Sequence, residues 1–348
     1  MPEGRLRPIG VIIANLGTPD APVPEAVGRY LREFLMDPWV VDLPRPLRWF
    51  LVNVLIVPRR KKASAELYRK IWTEDGSPLL LNTRKLTRQV SGELGSRYRV
   101  KMAMRYGRPS FAEAFAELKA EGVGEIVVSP QYPQYALSTY ESTRKQAASV
   151  ARALLPAARL RFVPPFFAEP AFLEAHVARL KDVERTHQPE HYLFSFHGLP
   201  TRHLKKTDPS AHCFRNGNCC GEIGAVNRDC YRAQCFETAR ALALRMGIPA
   251  AEYSVGFQSR MPGSRWIAPY SDHLVRELRA RGIRRLAVAC PSFTADCLET
   301  LEEVGIRYRS EFKRLGGEEL YLVPSLNAGG TWARAVSEMV RRAGEIAT

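Results

Sequence analysis

Five of the seven cysteines lie between Cys213 and Cys235, in the stretch HCFRNGNCCGEIGAVNRDCYRAQC. Their spacing is Cys-x5-Cys-Cys-x9-Cys-x4-Cys, without the Cys-x2-Cys pairs of zinc ribbons. Four thiolates so spaced suit an iron–sulfur cluster, with structural zinc and free or disulfide-bonded thiols as the alternatives. Two other places carry groups that move protons or bind metals. His197, in SFHGLP, directly follows a predicted strand, and Gly198 and Pro200 make the turn. A neutral imidazole there accepts a proton or ligates a metal near neutral pH. Asp296 and Glu299, in PSFTADCLETLEE, are three apart at the start of a predicted helix, where they share a face. A carboxylate near a histidine is an acid/base group or a hard metal ligand, although the helix macrodipole alone also favours acidic residues at that end.

These side chains need a scaffold, and the chain has the length and composition for one. Its 348 residues are 45% hydrophobic and 25% charged, a globular composition that suits two domains. The excess of 51 Lys and Arg over 36 Asp and Glu gives a net charge of +15 and points to an anionic partner. No recognition helix or RNA-binding signature accompanies the charge, so nucleic acid is not expected. A nucleotide loses its usual support too, because neither Gly-x-Gly-x-x-Gly nor a Walker-type loop follows the first strand. The start, MPEGRLRPIGVIIANLG, lacks the pattern of a signal peptide. A cytoplasmic location is expected, where disulfides are disfavoured. Trp49 to Val57 is apolar except for Asn53 and flanked by basic residues, among them Arg59, Arg60, Lys61 and Lys62. That is too short to span a bilayer and reads either as an interfacial segment or as a core helix with a basic end.

The elements alternate. IGVIIANLG, YRVKMAMRYG, GEIVVSPQYP and RLRFVPPF read as strands, and EAVGRYLREFLMD, FAEAFAELKAEG and TRKQAASVARALL as helices. The second half repeats the plan: HYLFSFHGLP matches VIIANLGTP, EYSVGFQSRMP echoes YRVKMAMRYGRP, and RRLAVACPSFTADCLE echoes GEIVVSPQYPQYALST. A repeat of about 160–180 residues fits two doubly wound α/β lobes with parallel sheets. Ligands in such folds sit beyond the carboxyl ends of the strands, so both Gly-x-Pro turns are expected at one cleft. Arg105, Tyr106, Tyr132, Tyr135, Gln258, Ser259, Arg260 and Trp266 gather at the same strand ends. Aromatic walls and arginines suit a large, flat, apolar ligand with acidic edges.

The order of NLGTP, YLREFLMDPWVVD, LYRKIWTEDGSPLL, MRYGRPS, PQYPQYALST, SFHGLPTRH, GFQSRMPGSRWIAP and PSFTADCLETLEE resembles the ferrochelatases over nearly the whole chain. The resemblance implies a lyase that inserts Fe²⁺, its metal substrate, into a porphyrin. It implies a chelatase-like fold of two similar Rossmann-like lobes around a porphyrin cleft. The expected limits are residues 1–170 for the first lobe, with a hydrophobic lip at about 34–62, and 171–325 for the second. A Cys-rich insertion at about 211–235 and a C-terminal helix, 326–348, crossing back complete the expectation. His197 and Glu299 take the metal and proton chemistry, with Asp296 as the third catalytic candidate. Leu16, Arg69 and Ser138, inside the matching stretches, join the porphyrin contacts.

The family reading also bears on substrate, cofactor and partners. Leu16 stands where coproporphyrin-type enzymes often carry tyrosine, and the apolar lip suits the less polar protoporphyrin IX. The alternatives are coproporphyrin III or a non-catalytic porphyrin or haem carrier. Some bacterial ferrochelatases carry a [2Fe–2S] cluster in an internal segment, which makes the cysteine stretch a cluster insertion. The expected ligands are Cys213, Cys220, Cys230 and Cys235, with Cys219 as the alternative to Cys220, and Cys235 is read as opening a helix. Peripheral contact with the inner, anionic face of a membrane is expected, as a monomer or homodimer.

Overall fold

The computed structural model describes residues 7–215, 217–261 and 263–345. β1 (Ile9–Gly17) is apolar on both faces, as a strand covered on two sides must be, and Val11 to Ala14 are fully buried. Gly17 closes it at φ +110, where a Cβ would meet the carbonyl oxygen of Tyr106 at 1.8 Å. Only glycine fits there. α1 (Pro24–Leu35) takes Pro24 in its first turn. α2 (Arg45–Phe50), a π-helical stretch (Leu51–Ile56) and α3 (Val57–Ile71) follow one another directly. Val52 and Val57 pack with Leu35 in a small core, while Leu47, Trp49, Phe50 and Val54 remain 45–55% exposed. No helix among the described residues is long and apolar enough to cross a membrane.

α4 (Pro78–Leu94), β2 (Tyr98–Tyr106), α5 (Phe111–Ala120), β3 (Glu125–Pro130), a π-helical turn (Leu137–Glu141), α6 (Ser142–Leu154) and β4 (Arg159–Phe162) complete the first half. α5 begins on a capping box, with Ser110 and Glu113 satisfying each other's backbone N–H groups. Its Phe111, Phe115 and Leu118 cover Ile12, Ile126 and Val128 of the sheet. The second half holds α7 (Pro170–His187), β5 (His191–His197), α8 (Thr201–Lys206), α9 (Tyr231–Met246), β6 (Tyr253–Gln258), α10 (Ser271–Ala280), β7 (Arg285–Ala289), a π-helical stretch (Glu299–Tyr308), α11 (Arg309–Arg314) and β8 (Glu319–Leu322). α12 (Gly330–Glu345) is last and packs on α4 and β3.

The two sheets are four-stranded, all-parallel and alike, in the orders β2-β1-β3-β4 and β6-β5-β7-β8. The chain divides into two units: residues up to Tyr132 with Leu137–Pro165 and the residues from Ala328 on, and Pro133–Ala136 with Phe166–Asn327. In each sheet the first strand lies between the next two, so the connections leave it in opposite directions. That opens a crevice at its carboxyl end. In the second unit the residue at that end is His197, whose partner in register is Gln258 of β6.

Candidate active site and cysteine insertion

His197 is partly buried and held at its main chain and its ring. Its N–H donates to Ser292 Oγ at 3.1 Å, and its carbonyl accepts from the Tyr231 hydroxyl at 2.8 Å. Nδ1 lies 2.6 Å from the Gly198 carbonyl oxygen. A carbonyl only accepts, so Nδ1 carries the proton and Nε2 is left with its lone pair. Phe293 meets the imidazole edge-on, with ring centroids 6.2 Å apart. Gly198 is required beside it: a Cβ would meet the Gln258 carbonyl oxygen at 2.8 Å and the Trp266 ring at 3.2 Å. Trp266 is buried over this turn, and its indole N–H has no hydrogen-bond partner among the described residues.

Glu299 begins the π-helical stretch after β7 and is partly buried, two residues beyond the buried Cys297. Burial raises that thiol's pKa well above normal, and Glu299 pushes it the same way. Gln258 joins the two segments. Its carbonyl accepts from Gly198 N–H at 2.8 Å, and its Nε2 donates to the Glu299 carbonyl at 2.7 Å. Ser195 Oγ donates to its Oε1 at 2.6 Å. Glu303, one π-helical turn beyond Glu299, accepts from Ser259 N–H and the Tyr308 hydroxyl, both at 3.0 Å, and from Ser259 Oγ. Those bonds hold Ser259 at φ +64.

Three residues expected at the reacting centre or the porphyrin have other work. Both Asp296 oxygens are occupied: Oδ1 accepts from Thr300 Oγ1 at 3.1 Å and Ser325 N–H at 3.3 Å, and Oδ2 from Asn327 Nδ2 at 2.7 Å. Asp296 is a buried clamp that fixes the start of the π-helical stretch. Gln258, 1% exposed, is the strut just described. Tyr106 is fully buried in the first unit, with its hydroxyl donating to Asp37 at 2.8 Å. Asp37 also takes a guanidinium N–H of Arg105 and, at 2.5 Å, the Ser142 hydroxyl.

The other expected contacts lie as follows. Leu16 is partly buried at the end of β1, and Arg69 Nε donates to the Pro22 carbonyl at 3.2 Å. Tyr132 is buried with its hydroxyl 3.4 Å from Thr143 Oγ1, and Ser138 is buried in the π-helical turn. Tyr135 N–H donates to Gln234 Oε1 at 2.6 Å. Arg260 is exposed, pairs with Asp272 at 2.9 Å and lies over the Tyr270 ring.

The cysteine stretch forms a loop before α9. Asp208 organises its entry, accepting the N–H groups of His212 at 3.0 Å and Cys213 at 2.6 Å. Cys230, not Cys235, stands at the helix start: it is the N-cap of α9, and Cys235 lies fully buried in the second turn. The Cys213 and Cys230 sulfurs are 3.6 Å apart, and those of Cys219 and Cys220 are 3.9 Å apart. Two thiolates on one tetrahedral metal, with bonds of about 2.3 Å, sit about 3.8 Å apart. Cys219 Sγ accepts the Phe214 N–H at 3.4 Å, and Cys220 Sγ accepts from Arg232 at 3.0 Å. Burial pushes the Cys213 thiol up to about 11, and contact with Cys230 together with burial raises Cys220. No group of three or more His, Cys, Asp or Glu among the described residues is arranged to hold a metal ion. Cys230 thus lies against both Cys213 and Cys220.

A family model described as Ferrochelatase matches residues 8–344. The chain is 44% identical to a ferrochelatase of Coxiella burnetii (strain Dugway 5J108-111) over 96% of its length and 93% of the relative. It is 45% identical to a ferrochelatase of Azotobacter vinelandii over 96% of its length and 98% of the relative. Among solved structures, SirB from Bacillus subtilis with Fe³⁺ superposes with a TM-score of 0.54 at 12% identity, covering 97% of this chain and 96% of that one. The sirohydrochlorin chelatase SirB of Bacillus subtilis subspecies spizizenii, in complex with cobalt, gives 0.56 at 9% identity, with the same coverage of both chains. These two likenesses concern the fold.

The geometry separates the two acidic residues. Asp296→Ala leaves the Ser325 and Asn327 donors unsatisfied and is expected to cost about 3 kcal/mol in urea unfolding. Glu299→Gln is expected to unfold at the wild-type midpoint. Equal stability losses in the two variants would contradict the assignment.

Proposed function

The chain belongs to the ferrochelatase family and inserts ferrous iron into a porphyrin for haem synthesis, and from that premise we propose that the porphyrin is protoporphyrin IX and that His197 and Glu299 carry the chemistry. In the reaction, which falls in the lyase class, two pyrrole N–H protons leave as Fe²⁺ enters. Nothing is oxidised or reduced. The ring must bend so that nitrogen lone pairs point at the metal, and contacts elsewhere on the porphyrin supply that strain. The His197 tautomer carries this reading. Because Nδ1 is committed to the Gly198 carbonyl, Nε2 is the free base and takes the first pyrrole proton. Glu299 supplies the carboxylate that receives iron and the second proton. Leu16, which adds no polar group at the end of β1, favours the less acidic porphyrin. Arg69, Arg105, Tyr132, Tyr135, Ser138, Ser259, Arg260 and Trp266 remain the porphyrin-side candidates.

The cysteine loop holds a [2Fe–2S] cluster through Cys213, Cys230, Cys219 and Cys220, with Cys235 as the spare thiol. The short sulfur distances support this set, in which Cys219 joins Cys220 instead of standing as its alternative. When bound, the cluster supplies metal–thiolate bonds that cross-link the loop and a centre that oxidants attack. Leu47, Trp49, Phe50 and Val54, with the basic residues of α3, meet an anionic lipid surface, from which a poorly soluble porphyrin enters.

Three experiments test these readings. With protoporphyrin IX and Fe²⁺ under anaerobic, reducing conditions, the wild type is expected to form haem with a higher kcat/KM than on coproporphyrin III. His197→Ala is expected to lower kcat about 10²–10⁴-fold while still quenching porphyrin fluorescence. Wild-type turnover in that variant would remove the assignment, and no haem from the wild type would leave a carrier. Cys219→Ser is expected to lose the visible absorbance and acid-labile sulfide, and Cys235→Ser to keep both; the reverse result reinstates Cys235 as a ligand. Sedimentation with phosphatidylglycerol vesicles is expected for the wild type and weakened by Trp49→Ser with Phe50→Ser. No sedimentation of the wild type would refute the membrane reading.

A further inference from the structure

The first turn of α9 touches both the cysteine loop and the catalytic turn. Cys230 caps this helix in an extended conformation, φ −80 and ψ 113, and Tyr231 is its first residue. The cap is fixed from both sides, with Cys230 N–H on the Asn227 carbonyl at 2.9 Å and Gln234 N–H on the Cys230 carbonyl at 3.0 Å. Gln234 locks the same turn through Nε2, which donates to the Arg228 carbonyl at 2.5 Å. The Tyr231 ring is buried, and its hydroxyl donates to the His197 carbonyl at 2.8 Å. Ser292 Oγ accepts the His197 N–H at 3.1 Å. Ser292 and Tyr231 thus hold the N–H and the carbonyl of one residue, His197.

We infer that Tyr231 is a positioning residue: it couples the cysteine insertion to iron insertion by fixing the main chain of His197. This rests on the reading that His197 is the proton acceptor. Tyr231 follows the Cys230 ligand without an intervening residue, so the loop that sets Cys230 also sets where the phenol points. The insertion acts on turnover through this hydroxyl rather than by touching substrate. Small displacements of a reacting group carry large rate penalties, and a buried carbonyl that loses its donor is free to turn.

The test uses Tyr231→Phe in the full-length protein, since phenylalanine keeps the buried ring and removes the hydroxyl. The kcat for haem formation is expected to fall about tenfold, with the porphyrin KM within about twofold of wild type. The visible absorbance of the cysteine insertion and the unfolding midpoint are expected to persist. A role confined to packing would instead move the midpoint or the absorbance and leave kcat alone. Ser292→Ala removes the other hold on the same peptide and is expected to act in the same direction. The double variant should fall short of the product of the two single effects, because both release the main chain of one residue. Should Tyr231→Phe fail to fold, Ser292→Ala carries the same kinetic test. Wild-type kcat in every folded variant, with His197→Ala inactive, overturns the role of Tyr231 and spares that of His197. Wild-type turnover in His197→Ala as well would overturn the catalytic reading itself.

Discussion

A group proposed to take protons from a porphyrin has to be held still, and in the second unit His197 is held at both its main chain and its ring. The histidine is the last residue of the central strand, where sheet hydrogen bonding gives out. Three side-chain and main-chain partners replace the missing ladder: Ser292 on its N–H, Tyr231 on its carbonyl and the Gly198 carbonyl on Nδ1. The last contact has a chemical consequence as well as a mechanical one, because in the neutral ring it chooses the tautomer and leaves the lone pair on Nε2. Gly198 is the cost of this arrangement, since no side chain fits between Gln258 and Trp266.

Behind the histidine lies a buried polar layer that would destabilise the fold if any member lacked a partner. Glu302 is fully buried and accepts from Arg307 Nε at 2.7 Å. Glu303 is satisfied by Ser259 and Tyr308. Holding Ser259 in a left-handed conformation costs about 1–3 kcal/mol, which the two Glu303 contacts to that residue offset. Gln258 then carries the rigidity of this layer to both the His197 turn and the Glu299 carbonyl. Positioning of the two candidate groups is therefore shared, although they are 102 residues apart by number (299 − 197).

Much of this was legible in the sequence because turns and strands are written locally. A β-branched run in β1 and an aromatic run in β5, each ending in Gly-x-Pro, marked the two strands, and with β5 the place of His197. The repeat gave two like sheets, because both halves carry the same punctuation. α4 and β8 fell outside the reading: one is amphipathic without a side-chain cap, and the other is only four residues long. Side-chain direction was harder. Asp296 and Glu299 look alike at i and i+3, yet Asn327 and Ser325 arrive from 31 and 29 residues away to occupy Asp296. Tyr106 was read as a ligand contact because it sits at a strand end, but alternation along β2 turns it inward beside Asp37. The order of thiols in a loop has no period to read, so the closeness of Cys230 to Cys213 and of Cys219 to Cys220 emerges only in three dimensions.

The central claim is that, in the neutral ring, the Gly198 carbonyl keeps the His197 proton on Nδ1 and leaves the lone pair on Nε2. Nitrogen-15 NMR of histidine-labelled protein, with His197→Gln used to assign the signal, tests it most directly. In the neutral ring the account predicts a protonated Nδ1 and an Nε2 shifted as a bare, unprotonated nitrogen, with Nε2 responding when a divalent metal or porphyrin is added. A proton on Nε2, or equal averaging over both nitrogens, would contradict it.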